Sequence, residues 1–226
     1  MNFQNLKVLA NGMVPGSKRN VIKASTRDLI LNEGAIDVAF RTVCLKTNDT
    51  FNVVEDQDTY DISTEVSDFL TVDKPGLWWN DGNEWEKVNP RTLKWLDEKR
   101  PNWRDMDSDD PQDYAINGNE IIVIPKPDTS LSGGFKLYYG KKPPTMTASG
   151  HYPFGGANEI PRLAPLSWSI VAFWRWKAGP MIAKQFDEMA AKKDYLESIV
   201  ENTSLINRDV AISDDKKTRY QGRIIR

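Results

Sequence analysis

Apolar residues recur at helical spacing near both ends of this 226-residue chain and at alternating spacing through its middle. Leu29, Ile36, Ala39, Phe40 and Val43 fall three, four or seven positions apart, which sets them on one stripe of a helix, with Arg27, Asn32, Glu33 and Arg41 largely outside it. Ser25 and Thr26 stand at the predicted start as N-caps, and Asp28 complements the dipole there. The pattern predicts a helix to about Lys46. Gly34 inside it costs about 1 kcal/mol relative to alanine, which points to a close packing contact.

From Thr50 the period changes to two. Phe51 and Val53, then Tyr60 and Ile62, alternate with polar residues around a turn at positions 56–58. Positions 77–79 and 85–88 bracket Asn80, Asp81 and Gly82, a hairpin sequence. Asn89 and Pro90 read as N-cap and first residue of a short helix through Arg100, where Pro101 ends it. Two further strands, 114–116 and 120–124, flank Asn117 and Gly118, the pair that favours a type I′ turn. A last strand is predicted over 135–139 after the flexible run 130–134.

Beyond the Gly- and Pro-rich loop 143–159, Pro161 and Pro165 open a helix carrying Leu166, Ile170, Phe173 and Trp174. Gly179 and Pro180 are expected to end it, with Pro180 opening the next helix, whose stripe is Ile182, Phe186, Met189, Leu196 and Val200. The helical pattern fades at Ser204. The expected fold class is therefore α+β: a helical body (25–49 and 160–203) made of a long N-terminal helix and a C-terminal helical hairpin. It carries a small inserted antiparallel β region (50–142), an irregular N-terminal arm (1–24), the connecting loop and an extended C-terminal tail (204–226).

Charge and composition narrow the function. Thirty Lys and Arg stand against 32 Asp and Glu, a formal net charge of −2, so there is no general attraction to nucleic acid. The single cysteine, Cys44, excludes an intrachain disulfide framework and reads as a core thiol. Positions 1–20 hold no continuous apolar run of signal-peptide type, and 163–178 is interrupted by Ser167, Ser169, Arg175 and Lys177, so no secretory leader and no membrane span are expected.

Catalytic chemistry finds little footing. His151, the only histidine, lies in the Gly/Pro loop without an evident acid–base partner. No glycine-rich phosphate loop is present. Asp105, Asp107 and Asp109, with Asp110 and Asp113 behind them, are the best metal candidates, because spaced carboxylates gather hard cations. Counted from Asp105, however, position six is Asp110 rather than glycine and position twelve is Ile116 rather than glutamate. A solvated loop is the expectation, with no metal, no cofactor and no enzymatic activity.

Aromatic residues and the C-terminal cations point to other molecules instead. Eight tryptophans are many for this length. Trp78, Trp79, Trp85, Trp95 and Trp103 cluster in the insert and read first as core, with a sugar-stacking platform of Trp78, Trp79 and Trp85 as the alternative, a carbohydrate-binding module. Trp168, Phe173, Trp174 and Trp176 cannot share one stripe of their helix, which is what a helix packed between neighbours requires, and subunit contact is the preferred reading. In the tail, Lys216, Lys217, Arg219, Arg223 and Arg226 alternate with Tyr220, Ile224 and Ile225, a composition suited to a groove on another protein.

The order of elements resembles the head-to-tail adaptor, or connector, proteins of tailed bacteriophages. The resemblance is carried by S-T-R-D-L-I at 25–30, D-P-Q-D-Y-A-I-N-G-N-E-I-I-V-I-P-K-P at 110–127, K-L-Y-Y-G-K-K-P at 136–143 and I-P-R-L-A-P-L-S-W at 160–168. It implies a non-enzymatic neck component of the virion, assembled in the host cytoplasm as a homo-oligomeric, dodecameric ring below the portal protein, with DNA only as passing cargo. It further implies that the C-terminal residues 216, 217, 219, 220 and 223–226 reach the portal, and that the insert meets tail, nozzle or fibre proteins.

Overall fold

In the computed structural model of the chain, residues 1–14, 21–183 and 185–221 are described, with side chains through 207. The chain divides into two units, one of Met1–Cys44 with Pro143–Arg226 and one of Leu45–Lys142.

The first unit is helical. Helix α1 (Phe3–Gly12) replaces the expected irregular arm: the Asn2 side chain accepts from the Asn5 amide, and Phe3, Leu6 and Ala10, at helical spacing, are buried. Helix α2 (Ala24–Thr42) is shorter than expected and puts Ser25 and Thr26 in its first turn rather than at its cap. It stops where Val43 takes a left-handed φ of 46°, because the chain is then recruited into a strand from Lys46.

The inner face of α2 is Ile30, Leu31, Gly34, Ala35, Val38 and Ala39, while Leu29 and Phe40 of the predicted stripe are 58% and 52% exposed. The helix has two apolar faces, and the one rich in small residues wins the core because it allows close approach. A Cβ on Gly34 would lie 3.0 Å from the Phe173 ring and 3.2 Å from Ile170, both on α5 (Leu166–Ile182).

Helix α5 does not end at Gly179; it runs through Pro180 to Ile182. Proline there removes a single backbone donor in the last turn, a cost that burial of Ala178, Gly179 and Ile182 offsets. Helix α6 (Glu188–Gln221) follows, with the Asp187 carboxylate accepting from the Ala190 amide at 2.9 Å. It buries Ala191, Tyr195 and Ile199, and the predicted stripe divides: Ile182 is buried at the end of α5, Phe186 is half-buried ahead of α6, and Met189, Leu196 and Val200 turn outward at 84%, 38% and 71% exposure. The extended tail is not found among the described residues: α6 continues past Ser204 to Gln221, a stretch without Gly or Pro to stop it.

The second unit is not a small insert. Strands dominate the middle of the chain, eight of them in two four-stranded sheets. The strands β1 (Lys46–Val53), β8 (Leu131–Lys141), β3 (Phe69–Asn80) and β4 (Trp85–Lys87) form one sheet in that order. The other is β2 (Thr59–Asp61), β7 (Glu120–Ile124), β6 (Asp113–Asn117) and β5 (Asn89–Arg91). Between them lies one core, including Phe51, Val53, Tyr60, Leu77, Trp79, Tyr114, Ile121, Val123, Phe135 and Leu137.

Several local readings change accordingly. β1 and β2 are not a hairpin; they pair with β8 and β7 in different sheets, and β2 runs into the one-turn helix α3 (Ile62–Glu65). Asn89 and Pro90 do not start a helix but form β5, parallel to β6, and α4 (Leu93–Lys99) is capped by Thr92, whose hydroxyl accepts from the Trp95 amide. In the β6–β7 hairpin Asn117 pairs with Glu120, so the loop is Gly118–Asn119, with glycine at the first central position (φ 61°) as in type II′ turns. β7 is buried on both faces: Ile121 and Val123 enter the sandwich, while Ile122 and Ile124 pack with Leu96 of α4 and Trp103.

Candidate functional site

Among the described residues, no three His, Cys, Asp or Glu side chains come together as a metal-binding set. Asp105 closes a short 3-10 turn, Asp107 and Asp109 are exposed, and the Asp109 carboxylate accepts from the next amide, that of Asp110. Asp113 has a separate task. Its side chain is almost fully buried, with Oδ1 2.9 Å from Arg91 Nε and Oδ2 3.1 Å from Arg100 Nη2. It thereby ties the parallel strand β5 and the end of α4 to β6, a use that the acidic run did not announce.

His151 is likewise structural. Its Nδ1 accepts from the amides of Thr147 and Ala148 at 3.2 and 3.5 Å, and its carbonyl accepts from the Phe3 amide. The ring stitches the Gly/Pro loop while the backbone receives the start of α1. Cys44 lies just beyond α2, where burial pushes its thiol above the ordinary value, the reverse of an activated thiolate.

The four aromatic residues of α5 divide by exposure. Trp174 and Phe173 are buried within the chain itself, whereas Trp168 is 54% exposed. Trp176 is half-buried and stacks on Tyr195 of α6, centroids 5.7 Å apart, while Phe173 meets both rings edge-on. Lys177 Nζ lies 3.9 Å from the Trp176 ring centroid. The Tyr195 hydroxyl donates to the Asp37 carboxylate of α2, which also accepts from Arg41, so α2 and α6 are joined by one polar link. Burial and that carboxylate hold the Tyr195 phenol far above its usual range.

In the β unit, alternation along β3 separates the adjacent tryptophans. Trp79 points into the sandwich at 1% exposure; Trp78 points out, paired with Lys136 of β8, and Trp85 lies beyond it with Lys136 Nζ 5.2 Å from its ring. A three-tryptophan stacking platform therefore does not form on one face. Trp95 carries the Arg91 guanidinium 4.2 Å from its ring, and the Trp103 indole donates to Asp97.

Of the tail residues, Lys216, Lys217, Arg219 and Tyr220 belong to the last turns of α6 by backbone; Arg223, Ile224, Ile225 and Arg226 lie outside the described residues. No helix among the described residues is long and apolar enough to cross a membrane.

No curated protein matches the chain. The sequence model of one family, described as SU10 adaptor protein, matches residues 11–208, which takes in α2 through most of α6 and the whole β unit.

Proposed function

This chain belongs to the SU10 adaptor protein family, consistent with a structural head-to-tail adaptor of a bacteriophage, and on that premise we propose that its copies form a ring joining the portal vertex to the tail. The ring is dodecameric by analogy with the connectors that the sequence resembles, sits in the virion neck after assembly in the host cytoplasm, and lines the passage of the genome. A near-neutral net charge suits a wall that lets DNA pass without holding it. The family match is the observation that carries this reading.

The portal contact is assigned to the C-terminal end of the chain: Lys216, Lys217, Arg219 and Tyr220, and after them Arg223, Ile224, Ile225 and Arg226. With the backbone helical to Gln221, the docking element is the end of a long helix, and groove binding of a helix replaces the extended tail that the sequence implied. Side by side, copies meet in part through Trp168, the member of the tryptophan helix that its own chain leaves open. The outward face with Trp78, Trp85 and Lys136 is the β unit's surface for tail, nozzle or fibre proteins. Many such modest contacts hold a ring because they act together.

Deleting residues 214–226 tests the portal assignment. The truncated chain keeps its melting profile, losing only the helical signal of the deleted turns, and loses co-sedimentation with portal rings; undiminished co-sedimentation overturns the assignment.

A further inference from the structure

Two outward helix faces share one pattern. On α2 it is Leu29, Glu33, Ile36 and Phe40; on α6 it is Met189, Lys193, Leu196 and Val200. Both follow spacings of four, three and four, the seam spacing of paired helices, and both place the charged residue second. The charges are opposite. Leu29, Phe40, Met189 and Val200 are all more than half exposed. Among the described residues Glu33 has no ion pair, and Lys193 has only Glu197, 3.7 Å away on its own exposed helix surface.

We propose that the α2 stripe of one copy packs against the α6 stripe of the next, the two helices parallel, with Glu33 facing Lys193. This rests on the ring reading and names its contact. Parallel alignment gives the layers Leu29–Met189, Glu33–Lys193, Ile36–Leu196 and Phe40–Val200. Antiparallel alignment sets Glu33 against Leu196 and Lys193 against Ile36, leaving both charges against apolar side chains. A charged pair within an apolar seam fixes register and partner, as polar residues do at the core positions of coiled coils.

Contact between two different patches is heterologous, so each added copy exposes one stripe of each kind until the assembly closes. That accounts for apolar faces left uncovered on both helices of the single chain. It also accounts for the core choosing the small-residue face of α2: the larger side chains are kept for the neighbour.

Charge reversal tests the pairing on the full chain. Glu33→Lys and Lys193→Glu are both surface changes, so helix content and melting serve as folding controls. Each variant alone faces like charges across the seam, and its self-association by analytical ultracentrifugation weakens at least ~10-fold. Mixing the two variants equimolarly restores association. The two reversed side chains then face each other across one seam, and the unchanged Glu33 meets the unchanged Lys193 across the next. Association of the wild type that neither reversal weakens, or that the mixture fails to restore, overturns the α2–α6 pairing and leaves the ring reading standing. A wild-type chain that stays monomeric at high concentration and beside portal protein overturns both.

Discussion

The two units bury their apolar residues by different rules. In the β unit, side chains alternate between two faces, so an apolar residue at every second position has one place to go. Phe51, Val53, Leu77, Trp79, Phe135 and Leu137 all reach the same core. In the helical unit the apolar residues of α2 and α6 surround more than one face, and the larger ones at Leu29, Phe40, Met189 and Val200 stay outside. A strand offers a binary choice; a helix offers a circumference. Hence the alternating positions of the sheets fill one core, whereas the helices leave large apolar side chains exposed among the described residues.

The sharpest way to break this contrast is to truncate one residue of each kind. Phe135 is fully buried, with ring centroids of Phe51, Tyr60 and Trp79 5.3, 5.2 and 5.4 Å away. Phe135→Ala lowers the stability of the chain by about 3–5 kcal/mol in denaturant unfolding. Leu29→Ala, of comparable hydrophobicity but exposed, shifts it by no more than about 0.5 kcal/mol. Equal losses at the two positions would erase the distinction between a closed and an open unit.

A smaller effect separates buried from exposed acids within the β unit. Asp113→Ala leaves Arg91 and Arg100 without their shared carboxylate and costs about 2–3 kcal/mol, since both guanidinium groups are partly solvated. Asp107→Ala stays within about 0.5 kcal/mol when both variants are measured by denaturant unfolding.

A smaller loss than that at Asp113 is expected at a buried hydroxyl of the helical unit. Tyr195→Phe removes the hydroxyl that donates to Asp37 and costs about 1–2 kcal/mol. Burial and a carboxylate partner raise the phenols of both Tyr195 and Tyr139 above the ordinary value, Tyr139 donating to Asp68 at 2.7 Å. The stability they carry is therefore full below pH about 10 and falls above it, because the unfolded chain alone then releases the proton. In a pH series of melting temperatures Tyr195→Phe makes that alkaline fall shallower; an unchanged slope would mean that the other raised phenols, Tyr139, Tyr60 and Tyr114, account for it.

Legibility followed chemistry that acts over a few residues. The Asn80–Asp81–Gly82 turn, the β6–β7 hairpin to within one residue, the close approach at Gly34 and the family resemblance all rest on local sequence. What misled was long-range. Asn89 and Pro90 have the credentials of a helix start, yet the backbone of β6 was available to pair, and Thr92 could cap three residues later. Gly179 and Pro180 have those of a helix end, yet packing carried α5 past them. Asp113 reads as one more loop acid until two arginines, 22 and 13 positions earlier, arrive beside it.

Sequence by itself determined where the chain turns, which segments alternate with period two and which with helical period, and to which family of adaptors the chain belongs. Tertiary structure alone decided which of two apolar faces each helix buries, how eight strands sort into two sheets, and which charged residue becomes a buried clamp. The reason is physical: local periodicity states that a face is apolar, but which partner reaches it first depends on shape, and on α2 the small residues around Gly34 allowed the closer fit.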